Sequence, residues 1–408
     1  MPQDNHFLHQ MYTFSRPGAS YELLRPSGPL TPQSPEFFEQ LAAVGRGFAR
    51  ANVSQVVCVH GTFAGNDALG LLTELQRIMP SMSERLRRIA KGAFDLVAGE
   101  TGNFTARYAA SFQQGLSIGA EREIPVKRFH WSSQNNHIGR ADGAVRLVDT
   151  LAQFAENLPE SSYSLPERPP RVLLWSHSHG GNVCALVSNL LAGDPKSRQD
   201  FFSAARSFWR PWFASKTEMP AWQRIERLLS EEDHPLRRLA LDVVTFGTPV
   251  RYGWDSAGYD KLLNITQHRP PLDGPEYLAP RALRPDRLLR GTFGDGVQQV
   301  GIAGTNLVAL PLAVRTFLAD RRLGRFLERN VAGERLFTRL ACRVRVPVEG
   351  TTLLVDYDEW GWNLPKHLAG HAVYTRRRWL PFHATQVAER LYGDQQYTEE
   401  DSRVITKA

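Results

Sequence analysis

Four short runs of apolar and β-branched residues, each followed by turn formers, read as buried strands: Gln55–Val59, Val126–Trp131, Val172–Trp175 and Asp242–Phe246. Val297–Ala303 and Thr351–Val355 are two further candidates. Between them apolar positions recur at helical spacing. Asp142–Ala155 brings Val145, Leu147, Val148, Leu151 and Phe154 together, and Asn182–Leu191 and Ala384–Leu391 follow the same rule. Strands alternating with helices predict an α/β domain, a mostly parallel central sheet with helices on both faces. Such sheets carry function at the carboxyl ends of their strands. Residues 1–35 are rich in Pro, Gly and Ser and predict an irregular arm. The domain then spans 36–395, leaving 396–408 as a tail. Two stretches read as helical insertions, 67–123 and 196–238. The second is unusually aromatic, with Phe201, Phe202, Phe208, Trp209, Trp212, Phe213 and Trp222.

The most informative motif follows the third strand: Trp175-Ser176-His177-Ser178-His179-Gly180-Gly181. A serine on a sharp strand-to-helix turn needs small residues two before and two after it, because the backbone is crowded there. Gly180 meets that need on one side. Ser176 stands where glycine is usual on the other. The turn points the Ser178 hydroxyl away from the sheet and puts backbone N–H groups at a helix start, where negative charge is favoured. The plainer alternative is a tight turn that only starts a helix.

A second motif ends the first strand: Val59-His60-Gly61-Thr62-Phe63. Glycine permits close backbone approach in such a loop. An N–H from Thr62, or from Phe63 instead, can pair with that of His179 to hold an oxyanion.

With these motifs the chain resembles the α/β-hydrolase superfamily, in its lipase and esterase branch. The matching pieces are His60-Gly61-Thr62-Phe63, Ser176-His177-Ser178-His179-Gly180-Gly181 and Phe246-Gly247-Thr248-Pro249, with a Trp131-Ser132-Ser133 turn between the first two. The resemblance spans about residues 50–395 and implies an α/β-hydrolase fold with lid-like helical insertions. It implies a serine hydrolase acting on carboxylic esters, with Ser178 as nucleophile and with Thr62 and His179 in the oxyanion hole. Thioesterases, amidases and acyltransferases share these motifs, as does a non-catalytic binding protein on the same scaffold.

A triad in this superfamily runs Ser, acid, His along the chain. His371 fits best as the base, in a loop after Thr351–Val355 and before the last helix. His367 is its nearest rival, and His383 falls at the start of that helix. Asp356, at the end of a strand in Leu354-Val355-Asp356-Tyr357-Asp358, is the favoured acid. Asp358 shares its side of the strand, and Asp255 is the alternative after Gly247-Thr248-Pro249. The turn after Val297–Ala303, Gly304-Thr305-Asn306, offers no carboxylate where the pattern usually puts one.

Composition narrows the partners. Apolar residues make up 42 % and charged residues 22 % of 408, which suits a globular fold rather than disorder. Net charge is +7, with a local cluster at Arg376, Arg377 and Arg378, and this could favour an anionic membrane surface. No nucleic-acid signature accompanies it. The aromatic insertion could cover an acyl pocket, or be a helical subdomain with its own core. Together these features point to a lipid ester, a phospholipid or an acylglycerol, as substrate. No cofactor is required. No metal site is expected either, because His177 and His179 flank Ser178 without nearby acidic ligands. Cys58, Cys184 and Cys342 are odd in number and far apart, which fits a reducing compartment. Met1–Ser15 lacks an apolar signal core, and Leu307–Leu318 is too short to span a membrane. A cytoplasmic protein is expected, or one exported without a cleaved signal.

Overall fold

The computed structural model describes Phe7 and residues 19–61, 100–159, 168–209, 219–249, 251–271, 274–279, 290, 292–302, 314–327, 345–359 and 368–393. Along them the chain forms β1 (Tyr21–Leu24), α1 (Pro35–Arg50), β2 (Val53–Val59), α2 (Ala106–Ala120) and β3 (Val126–Phe129). Next come α3 (His137–Glu156), β4 (Arg171–His177), α4 (His179–Ala192), α5 (Pro195–Trp209), α6 (Pro220–Leu228) and β5 (Ala240–Phe246). The last are β6 (Lys261–Gln267), α7 (Gly296–Ile302), α8 (Val314–Leu327), β7 (Thr351–Val355) and α9 (Leu380–Tyr392).

Seven strands pair in parallel in the order β1-β7-β6-β5-β4-β2-β3. Strands covered on both faces read as continuous apolar runs, because both sets of alternating side chains must be buried. In β2, Val57 and Val59 join the core beneath α3 and α4, while Val56 and Cys58 join the opposite core with α1, α2 and α9. The chain leaves β2 for the edge strand β3 and then returns to lay β4 on the other side of β2. The connections after β2 and β4 therefore leave toward opposite edges of the sheet. That switch point is where open parallel sheets place ligands.

The sheet holds two strands that the pattern did not disclose. In β6, polar Asn264 and Thr266 interrupt the apolar run, yet both are buried. Asn264 is satisfied by Thr245 Oγ1 at 2.7 Å and by donating to Glu349 O at 3.0 Å. The other is β1, within the expected irregular arm, a half-exposed edge strand on β7. Val297–Ala303 is not a strand: Gly296–Ile302 is helix α7, started by Asp295, whose Oδ1 accepts from Gln298 N at 2.8 Å.

The aromatic insertion forms core. Phe201, Phe202, Phe208, Trp209 and Trp222 are all buried, and the Trp222 ring lies 5.9 Å from that of Trp209 and 6.0 Å from that of Phe201. Trp222 Nε1 donates to Asp142 Oδ1 at 2.7 Å, tying α6 to α3. Trp212, Phe213, the stretch 62–99 and Cys342 lie outside the described residues. Among the described residues, no helix is long and apolar enough to cross a membrane.

Helices α1 and α2 cross at glycines. A Cβ on Gly119 would lie 1.7 Å from Ala42 O, and one on Gly45 would lie 2.1 Å from Leu116 O. Gly119→Ala is expected to push the pair apart and destabilise the protein by about 1–3 kcal/mol or more, as for other overpacked interiors. Chemical denaturation with an unchanged m-value would show it, and a wild-type midpoint would refute the close crossing.

Candidate active site

The bend between β4 and α4 consists of one residue, Ser178, with φ 55° and ψ −132°. A non-glycine residue rarely sits at positive φ, and it persists only where its surroundings over-determine it. Three hydrogen bonds do so here. Ser178 N donates to Phe246 O at 2.9 Å, and Ser178 O accepts from Gly181 N at 3.0 Å and from Thr248 Oγ1 at 2.9 Å. Neighbouring chains then approach without room for side chains. A Cβ on Gly61 would lie 2.5 Å from Ser178 Cβ, one on Gly180 would lie 2.5 Å from Val59 O, and one on Gly181 would lie 2.2 Å from Thr248 Oγ1. Ser176, in the place where glycine is usual, is fully buried and donates to Val244 O at 2.8 Å. The neighbouring strand therefore absorbs its hydroxyl.

The loop after β2 is fixed from the other side. Ser133 Oγ donates to Gly61 O at 2.8 Å and lies 3.0 Å from His60 Nδ1, while Trp131 Nε1 donates to His60 O at 2.9 Å. Thr62 and Phe63 lie outside the described residues. His179 is the first residue of α4, where N–H groups lack intrahelical acceptors. Its Nδ1 accepts from Asn182 Nδ2 at 3.1 Å. Burial holds its imidazole well below the usual range, aided by the charges of Arg140 and Arg251. His179 is thus a neutral, engaged ring.

His371 sits in a short turn beyond β7, 4 % exposed. Its Nδ1 is 2.6 Å from Oδ2 of Asp295, a carboxylate with no exposed surface. Tyr374 OH donates to the same oxygen at 2.9 Å and accepts from Gln267 N at 2.6 Å. The other nitrogen of His371, Nε2, is buried and has no hydrogen-bond partner. Glycine makes this packing possible as well: a Cβ on Gly247 would lie 2.5 Å from Asp295 Oδ2.

The carboxylate at the imidazole is therefore Asp295, and this corrects the expected acid. Asp356 forms a two-pronged ion pair with Arg269, with Nε–Oδ2 and Nη2–Oδ1 both 3.0 Å. Asp358 joins the same arginine with an exposed side chain. Asp255 caps a 3-10 turn through Ala257 N at 3.1 Å. All three are held by partners other than His371. Asp295 lies between β6 and β7, and the apparent lack of a carboxylate before the last strand followed from mistaking α7 for that penultimate strand. A signal was present in Phe293-Gly294-Asp295-Gly296, an aspartate framed by glycines.

His367 lies outside the described residues. His383 is enclosed in α9, its Nε2 hydrogen-bonded with Tyr357 OH at 2.7 Å. The basic cluster is also occupied: Arg376 and Arg378 pair with Glu359, and Arg377 pairs with Glu100. Among the described residues, no group of three or more His, Cys, Asp or Glu side chains could hold a metal ion. Comparison with protein-family models, curated proteins and solved structures returned no match.

Two consequences are measurable. Gly61→Ala should remove the close approach to Ser178 and lower the melting temperature, and an unchanged melt would contradict the packing. Burial pushes His268 and His383 down to about 3 from 6.5. The unfolded chain then binds protons that the folded chain refuses, so their stabilisation is complete above 6.5 and is lost as pH falls toward 3. Each such group contributes at most about 1.4 kcal/mol per pH unit in that window. Melting temperatures should fall from pH 6.5 toward 4, and less steeply in His383→Gln. Parallel slopes would rule out a titration at His383.

Proposed function

We propose that the chain is a serine hydrolase of the α/β-hydrolase fold that cleaves carboxylic esters through an acyl-enzyme on Ser178. The observation that carries this reading is the buried 2.6 Å pair of His371 Nδ1 and Asp295 Oδ2, at the same end of the sheet as the reversed backbone of Ser178. With Nδ1–H donated to the carboxylate, His371 Nε2 is left as the basic nitrogen. It takes the Ser178 proton as Oγ attacks the ester carbonyl, then returns that proton to the departing alcohol oxygen. Water repeats the steps in reverse roles, breaking the acyl–Oγ bond and freeing the acid. The N–H groups of His179 and, by the resemblance, Thr62 hold the oxyanion. The unpartnered Nε2 suits a resting enzyme, whose catalytic hydrogen bonds often tighten only around substrate.

Asp295 supplies the carboxylate that Gly304-Thr305-Asn306 does not offer. Lipid esters are the substrate class we propose, as an extension of the lipase-like motifs alone. The described aromatics are core, and the three arginines are ion-paired.

A fluorophosphonate probe should label wild type and not Ser178→Ala, and equal labelling would end the hydrolase reading. Among carboxylate variants, Asp295→Asn should lower kcat by about 10⁴, the loss typical when the imidazole tautomer is no longer fixed. Asp356→Asn should stay within a few-fold of wild type, and the reverse ranking would overturn the assignment. A chain-length series of p-nitrophenyl esters followed by phospholipid vesicles then sets the acyl class. Hydrolysis confined to short acyl chains would refute lipids.

A further inference from the structure

His177, the residue before the proposed nucleophile, is buried and takes no part in the steps above. Its Nε2 lies 3.2 Å from the main-chain carbonyl of His371. A carbonyl only accepts, so this nitrogen carries the proton, and Nδ1 is the lone-pair nitrogen. That Nδ1 is buried, and the Gly102 backbone also lies against the ring. The two imidazoles pack with ring centroids 4.5 Å apart, and the rings of Tyr374 and Phe104 lie 5.8 Å and 6.2 Å from His177. Burial keeps His177 far below the usual imidazole range, so it adds no charge beside His371.

The turn that presents His371 needs an anchor. Leu368, Ala369 and Gly370 have φ values of 47°, 52° and 91°, three successive left-handed residues of which two are not glycine. Such backbone relaxes unless its surroundings hold it. His371 N bonds within the turn, to Leu368 O at 3.0 Å. Among the described residues, His177 bonds to the His371 backbone from outside the turn.

We infer that His177 is a positioning residue, which holds His371 by its carbonyl and ring face and so sets where Nε2 stands relative to Ser178. This rests on the hydrolase reading for its kinetic consequence, not for its geometry. The end of the strand that delivers the nucleophile thereby also places the base.

Three variants separate the parts. His177→Phe keeps a ring and loses the donor. His177→Gln puts an amide N–H near the Nε2 position. His177→Asn puts one near Nδ1, out of place, and substitutes for the Phe variant if that fails to fold. Rates are scaled to active sites counted by fluorophosphonate labelling. The Phe variant should lose about tenfold or more in kcat with KM within twofold, as expected when an interaction serves the transition state rather than binding. The Gln variant should recover most of that loss. Wild-type kcat in the Phe variant, or equal losses in Phe and Gln, would overturn the role.

A second readout does not need turnover. The short His371–Asp295 hydrogen bond should give a far-downfield imidazole N–H proton resonance, assigned by its loss in Asp295→Asn and retained in Ser178→Ala. It should broaden or shift in the Phe variant and return in the Gln variant, and an unchanged signal refutes positioning. If wild type takes no probe, the hydrolase reading fails and this resonance alone decides the role of His177.

Discussion

The site depends on one crowded crossing, where Gly61, after β2, leaves room only for the Ser178 side chain of the bend after β4. Gly61 is in contact with Ser178, and Gly180 packs under the carbonyls of Val59 and His60. Holding a residue such as Ser178 in this backbone conformation costs about 1–3 kcal/mol. The cost is offset by hydrogen bonds to both its N–H and its carbonyl. Because β2 and β4 are neighbours whose connections leave in opposite directions, the crossing lies at the topological switch point of the sheet. The strained backbone and the topology select the same place, and they do so for independent reasons.

The partner half of the site is assembled from three distant segments. Asp295 starts α7, His371 follows a left-handed turn, and Tyr374 bridges Asp295 to the backbone of β6. Gly247, Gly294 and Gly370 let these segments touch, since a Cβ on Gly294 would lie 2.3 Å from Gln267 O and one on Gly370 would lie 2.7 Å from Gly294 O. An anion buried completely must be matched by donors. Asp295 has three, from Gln298 N, His371 Nδ1 and Tyr374 OH.

Much of this was legible in the residues. The strands Gln55–Val59, Val172–Trp175, Asp242–Phe246 and Thr351–Val355 lie within observed strands, and the turns at Gly61 and Ser178 fall at strand ends. What local pattern left hidden has a common cause. In β6, burial of Asn264 is made tolerable by partners on a neighbouring strand and a distant loop, which a sequence window does not contain. Without β6 in the count, Asp295, the carboxylate beside His371, falls outside the place where the pattern seeks one. Charge misled in a similar way: Arg376, Arg377 and Arg378 look like a basic patch, and only the fold brings Glu100 and Glu359 to them. The aromatic run between 201 and 222 likewise allows two readings by pattern; in the fold its described rings are buried on one another, and Trp222 ties α6 to α3.

The edge strand β1 has a consequence for biogenesis. Tyr21–Leu24 lies against Thr352–Val355, and Ser20 meets Thr351 across 331 positions of chain. A ribosome delivers those two stretches far apart in time. The early segment must wait, extended and half apolar, until nearly everything else has been made. Such long-range pairing is slow and leaves a strand edge exposed during synthesis. At that border the first and last strands of the described sheet lie side by side.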